Sequence, residues 1–425
     1  MKVAVVVWLL VLGTGCEHGL WLAGDAGEGS PDARDEAGDA PDEGDDGRDA
    51  DDADAPPPPA SPPWCPAEAT SRPCRPALLR QAAGDGRVAA AGFLDDGVAL
   101  LVDSSAATTG PTAGSQVALL RLRLDGRDER HDVWARGTEV GAGWTGTEFG
   151  VVVPATASDD GIYLRVGPDG DATSVPVGRR LCEELAWTGD TYRCVVTTTA
   201  DVTWETLSLE GIPADRHQYD DCWVRSSAWG AEGPGILCSD AGDWEFVRLA
   251  ADGPPAIPRT RIGGAFSVGD SLLVSHGRGF LALFLRGGYP SGDAELVVAM
   301  GINPDGSVPH RPVIVDTIRA RSHMPSWGPV QFAASAAGDD TVVAYRHLEP
   351  TAIEGDPSLA RLYFRAITDD GDLGERSELP PTTDDDFMRE WVVVARSGTG
   401  LVVARSHSRS TGGPLGLDVW IGCCE

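Results

Sequence analysis

Three histidines recur at similar points of the chain. His276, His347 and His407 each follow a short apolar run, at 272–274, 341–344 and 401–404. Such a set predicts a shared binding face, to which the intervening loop would add His323 and Trp327. It does not predict a metal centre: packed sheets stand about 10 Å apart, so imidazoles on neighbouring units cannot share one ion. The nine cysteines are a second set. Cys16 stands alone, and the other eight are Cys65, Cys74, Cys182, Cys194, Cys222, Cys238, Cys423 and Cys424. An even number in an exported chain reads as disulfides, and with no Cys-x-x-Cys a zinc site is not expected.

The remaining chemical signals are weaker than their spacing suggests. Gly141-Ala142-Gly143-Trp144-Thr145-Gly146 matches a dinucleotide pattern, but that motif needs a following helix, and a β-branched run follows here. Ala265-Phe266-Ser267-Val268-Gly269 is one residue short of a nucleophile elbow. The Asp-rich turns at 368–372 and 384–386 would suit a structural calcium ion, yet they lack the spaced order of a calcium loop. Aspartate also favours turns for its local hydrogen bonds. No catalytic residue is assigned, no cofactor beyond that calcium is implied, and an enzyme is the less favoured reading.

The elements that would position these residues repeat. One unit is a short strand, a turn with Gly, and then a strand that is apolar throughout. It occurs at 91–102, 143–153, 186–196, 228–238, 266–274, 337–344 and 397–404, which makes seven copies. A second unit follows each, a strand running into Asp-Gly or Glu-Gly, as at 125–126, 169–170, 210–211, 252–253, 305–306 and 370–371. Asp-Gly supplies the positive φ that hairpin turns need. Four of these strands carry an arginine at one repeat position, Arg121, Arg165, Arg248 and Arg365. A side chain repeated in this way serves the repeat, through packing or an ion pair.

A strand apolar on both faces is buried on both, whereas an alternating strand has one face to water. That gradient suits the inner and outer strands of propeller blades, and the repeat length of about forty to seventy residues suits them too. The expected fold is therefore all-β, a single seven-bladed β-propeller over 64–425, with six or eight blades as alternatives. A row of β-sandwiches would need linkers that the sequence lacks. The last repeat stops after its third strand, which leaves room for a strand from near 78–81. Propeller closure then brings Cys65 and Cys74 to Cys423 and Cys424. The other four cysteines are expected to pair within their hairpins, 182 with 194 and 222 with 238, or else across the two blades.

The first sixteen residues read as a signal peptide: Lys2, ten apolar residues at 3–12, then Gly13-Thr14-Gly15-Cys16. Ten residues are too few to span a bilayer. The end resembles a bacterial lipobox, although Gly13 stands where leucine is usual, and the resemblance implies acylation of Cys16. Residues 17–63 hold fifteen acidic and two basic residues and end in a proline run. That composition predicts a disordered tether. Of the net charge of −31, −13 lies in this stretch. An ordered domain that is also acidic is not expected to bind nucleic acid or anionic lipid.

Together these features resemble bacterial surface lipoproteins that carry β-propeller repeats behind an acidic, proline-rich stalk. WD40, kelch and complete sialidase signatures are absent; 158–161 begins like the last and lacks its closing tryptophan. The resemblance implies a monomeric envelope protein, or alternatively a secreted one, whose propeller binds a protein or glycan at the cell surface. A structural subunit of an envelope complex and a propeller hydrolase or lyase are the alternatives.

Overall fold

The computed structural model describes residues 61–65 and 76–424, except 84–85, 104–115, 135–139, 155–160, 179–181, 183, 198–200, 231, 241–242, 251–254, 265–270, 277–278, 288–294, 319–331, 338–339, 349–359, 369, 381–386 and 410–415. Within these, the chain forms twenty-eight strands. β1 (Ala77–Ala83) comes first and is discussed last. Blade one is β2 (Arg87–Leu94), β3 (Gly97–Asp103), β4 (Val117–Arg123) and β5 (Glu129–Trp134). Blade two is β6 (Gly141–Trp144), β7 (Phe149–Val153), β8 (Gly161–Val166) and β9 (Ala172–Gly178). Blade three is β10 (Glu184–Trp187), β11 (Tyr192–Thr197), β12 (Val202–Leu207) and β13 (Pro213–Tyr219). Blade four is β14 (Val224–Gly230), β15 (Gly233–Asp240), β16 (Asp243–Arg248) and β17 (Thr260–Gly264). Blade five is β18 (Ser271–His276), β19 (Gly279–Gly287), β20 (Glu295–Ile302) and β21 (Val313–Ile318). Blade six is β22 (Phe332–Ala337), β23 (Asp340–Leu348), β24 (Ala360–Thr368) and β25 (Ser377–Glu378). Blade seven has β26 (Phe387–Ser397), β27 (Gly400–Arg409) and β28 (Gly416–Cys423), and its fourth strand is β1.

Each sheet is four-stranded and antiparallel, a meander in blades one to six, and the inner strands pack on one another round a ring in which β26 returns to β2. The core is not one mass but seven apolar clusters, one in each seam between neighbouring blades. This explains the apolar runs. A second strand such as β3 is buried at every position because alternate side chains face different neighbouring blades. Its even-numbered residues Val98, Leu100 and Val102 join blade seven, and Ala99 and Leu101 join blade two. The third strand β4 is buried at 117–119 and 122 and half-buried at Leu120, Arg121 and Arg123, so only its second half reaches solvent.

The turns between third and fourth strands hold glycine in the left-handed region, Gly126, Gly170, Gly211, Gly306 and Gly371, with φ of 85°, 83°, 77°, 81° and 81°. Each glycine sits against the preceding blade. Gly211 is the tightest case, since a Cβ there would run into the Tyr163 ring of blade two. The Tyr163 hydroxyl in turn donates to Leu209 O at 3.1 Å. The repeated arginines bind the turns as well. Arg165 pairs with Glu148 at 2.8 Å and Arg248 with Glu232, both acids belonging to the first hairpin of the same blade. Arg121 reaches its own hairpin at Asp96 and the next blade's turn at Asp169, 2.7 Å away. Arg365 instead donates to two carbonyls, Gly374 O and Val315 O, the second in blade five.

One copy of the repeat was placed wrongly by sequence. In blade five the run at 272–274 belongs to the innermost strand β18, and the both-faces-buried second strand is β19, which includes Phe280–Phe284. Gly269-Asp270 therefore precedes the blade instead of forming its hairpin. The physical reason is that β18 also packs in a seam, so its apolar run looks like that of a second strand.

Candidate functional site

Antiparallel pairing gives every blade two distinct ends. One carries the first hairpins and the turns between third and fourth strands (the turn end). The other carries the connections between second and third strands and between blades (the loop end). The amino-terminal segment enters at the turn end. The Thr399 amide and hydroxyl meet Ser61 Oγ at 3.0 and 3.1 Å, Trp64 Nε1 donates to Leu94 O at 3.1 Å, and Trp64 stacks on Phe93. Three residues expected to belong to the tether, Ser61 to Pro63, are thus part of the fold. Gly400 accepts Pro62 where a side chain could not fit.

Cys65 is disulfide-bonded to Cys423, with Cα atoms 5.6 Å apart. The chain then returns as β1 and pairs with β28 from Ala77↔Ile421 to Ala83↔Gly416. Arg80 links this last strand to blade one through Asp128 at 2.7 Å. Closure is therefore both hydrogen-bonded and covalent. Cys424 is disulfide-bonded too, whereas Cys74 and Cys16 lie outside the described residues. The within-hairpin pairings hold for the remaining four, Cys182–Cys194 and Cys222–Cys238, both at or near the loop end. Three disulfides among the described residues point to a non-reducing compartment.

The histidines do not gather. His276 ends β18 and pairs with Gly279 across the first hairpin, at the turn end of blade five. There it is buried, and its Nδ1 lies 2.6 Å from Thr341 Oγ1 of blade six. His347 and His407 are near the loop ends of β23 and β27. The misplaced hairpin of blade five accounts for the expected equivalence. His323 and Trp327 lie outside the described residues.

His407 belongs instead to a sealed ionic cluster. Arg405 and Asp418 are paired residues of β27 and β28, and the guanidinium Nε donates to Asp418 Oδ2 at 3.0 Å. His407 Nε2 approaches the same oxygen at 3.1 Å. Side-chain exposure is 5% for Arg405, 4% for His407 and 0% for Asp418, so the cluster meets no solvent. Their apolar neighbours on the same strand faces, Leu401, Val403 and Trp420, pack in the seam with blade six. The Trp420 ring underlies the Arg405 guanidinium at 5.4 Å. Gly416 is required here, because a Cβ would collide with the His407 ring. Burial alone would push the Asp418 carboxyl up. The His407 hydrogen bond and the charge of Arg405 overcome this and hold it below the usual carboxylate range. The Arg405 guanidinium and the His407 imidazole, both on one buried carboxylate, tie β27 to β28 in the closing blade.

The loop end offers a different feature at blade four. Trp223 is 54% exposed, just before β14, although its chain neighbour Cys222 is buried in the seam. Its carbonyl accepts the Ser239 amide at 2.9 Å, and the Cys222–Cys238 bond ties the same two segments. The Arg225 guanidinium lies over the Trp223 ring at 4.9 Å, brought there by an irregularity in pairing between Val224 and Ser226. Sequence reasoning missed this residue, because one tryptophan among thirteen carries no mark of exposure. Among the described residues no three His, Cys, Asp or Glu side chains gather as a metal would require. The calcium candidate at 384–386 is outside those residues.

Seven four-stranded sheets in a ring, the last completed by the amino-terminal strand, define a seven-bladed β-propeller. No protein-family model matches the chain, and no curated protein matches it. Solved structures similar to it include the β-propeller domain of Cps50 (Swd1) from Myceliophteria thermophila, at 10% identity and a TM-score of 0.46, covering 81% of this chain and 99% of that one. The WD40 domain of Toxoplasma gondii coronin is similar at 9% identity and a TM-score of 0.44, covering 83% and 85%. A putative 6-phosphogluconolactonase from Bacteroides uniformis is similar at 13% identity and 0.43, covering 75% and 94%. The propeller assignment rests on the strand pairing and not on these likenesses.

Proposed function

We propose that this is an exported envelope lipoprotein, acylated at Cys16, that presents its propeller as a binding or adhesion module for a protein or glycan ligand. The observation that carries the reading is the polarity of the ring. Residues 61–65 and the Cys65–Cys423 bond occupy the turn end, so the chain arrives from that side. The contacts of residues 61–65 leave the loop end uncovered. The disulfides suit the oxidising surroundings of an exported domain, and the buried ionic cluster stiffens the closing blade without offering catalysis.

The test is to display the full-length protein on cells and measure retention on immobilised glycans and envelope proteins. Substitutions at the loop ends of the blades should abolish retention, and substitutions at exposed turn-end residues such as Arg127 and Ile212 should not. The reverse pattern would overturn the proposal.

A further inference from the structure

Among the tryptophans whose side chains are described, Trp223 is the exposed one, and the others are buried or half-buried. Exposure of so large a ring on an ordered strand start forgoes burial of apolar area worth about 25 cal/mol per Å². The surrounding segment is rigid, since a disulfide and the Ser239 amide hold it on both sides. Trp and Arg are also the residue types that dominate the energetic centres of protein interfaces.

The charges around it are not balanced. At the loop ends of blades three and four, Asp201 accepts from Gln218, Asp243 pairs with Arg261 and Glu245 with Arg259. Asp220 and Asp221, which immediately precede Cys222 and Trp223, are exposed and make no ion pair among the described residues. Arg259 does reach this turn, but it donates to the Asp221 carbonyl and leaves the carboxylate open. Two exposed carboxylates two and three residues before an exposed indole suit a cation, which the ring attracts through its quadrupole and the acids through their charge. The strongly acidic chain adds long-range attraction of the same sign.

We propose that Trp223, with Asp220 and Asp221, is the contact point for a basic segment of a partner protein, whose Arg or Lys side chain lies on the open face of the indole. This rests on the binding-module reading and names the chemistry of its ligand. The Arg225 guanidinium on the ring fixes its plane, and the partner's cation takes what that leaves exposed.

The experiment uses the full-length oxidised chain and a fluorescein-labelled nine-residue peptide containing Arg and Lys, with a Glu-substituted peptide as control. Binding is read by anisotropy at 0.15 M salt, where the Debye length is about 8 Å and diffuse attraction is largely screened. Because residues 17–63 attract any cation, the readout is the difference between chains. Trp223→Ala should weaken binding about fivefold, the upper end for a cation over an exposed ring. Trp223→Phe should fall between, and the Asp220→Asn/Asp221→Asn chain should also bind more weakly than wild type. Equal affinity of all four chains, or no binding by the wild type, would overturn the proposal. So would Trp223-dependent binding of a neutral oligosaccharide in place of the peptide. None of these outcomes touches the broader reading, which fails only if loop-end changes leave retention on cells intact.

Discussion

Asp418→Asn should be among the most damaging single substitutions in the propeller. Its carboxylate is fully buried and receives both Arg405 and His407, within 3.0 and 3.1 Å. Removing one partner of a buried ion pair typically costs about 3–5 kcal/mol, because a charge is left without compensation in a dry seam. Against a total stability of about 5–15 kcal/mol for a domain, the loss is a large fraction. Urea unfolding of the oxidised protein at pH 7, followed by tryptophan fluorescence and far-ultraviolet circular dichroism, measures it. A second chain keeps the reasoning testable if the single variant fails to fold. Replacing all three groups by apolar residues of similar volume (Arg405→Met, His407→Phe, Asp418→Leu) should recover most of the loss. The pH dependence has a defined sign. The folded-state carboxyl is held below its ordinary 3.8, so the unfolded chain takes up the proton first. The stabilisation is complete above that value and fades as pH falls below it towards the folded value. The gap between wild type and Asp418→Asn should therefore narrow from pH 5 to pH 3. A cost below about 1 kcal/mol, or a gap that does not change with pH, would refute the account of the cluster.

Other perturbations follow from the same packing. Gly211→Ala forces a side chain to a φ of 77° and into the Tyr163 ring; a loss of about 1–3 kcal/mol is expected in the same assay. Reducing the disulfides should destabilise the ring, although the β1–β28 pairing remains: Cys65 and Cys423 are 358 residues apart, and the chain-entropy relation gives about 5–6 kcal/mol for a loop of that length. An unchanged urea midpoint in dithiothreitol would contradict the clasp. Non-reducing peptide mapping should recover Cys65 joined to Cys423, and a Cys65 peptide cross-linked to Cys74 would exclude it. Deletion of residues 24–60 should leave the melting temperature within a degree or two, since among the described residues the contacts of the amino-terminal segment begin at Ser61.

Much of this architecture was visible in the residues. The apolar second strands, the Asp-Gly turns and the truncated seventh repeat follow from seams that bury both faces of a strand and from a ring that must close. The cysteines at the two ends added the covalent step. Blade five failed because β18 is as apolar as a second strand, so hydrophobicity alone could not say which strand of the hairpin it was. The histidine set failed with it, since one displaced hairpin moves His276 to the opposite end of its blade. The Arg405–Asp418 pair was hidden for another reason. Its members are thirteen residues apart across a connection whose length does not reveal the register. The break in the apolar run at Arg405-Ser406-His407 was the available signal. Trp223 depends on a local irregularity of pairing, which no periodicity encodes.

The central claim is the proposal that the ring is carried on an acylated amino terminus, and fractionation of cells tests it most directly. Wild-type protein should sediment with membranes and be released only by detergent, because two or more acyl chains supply an anchoring that a single chain does not. Cys16→Ser should shift the same folded propeller to the soluble exported fraction. Wild-type protein that is already soluble without detergent would contradict the claim.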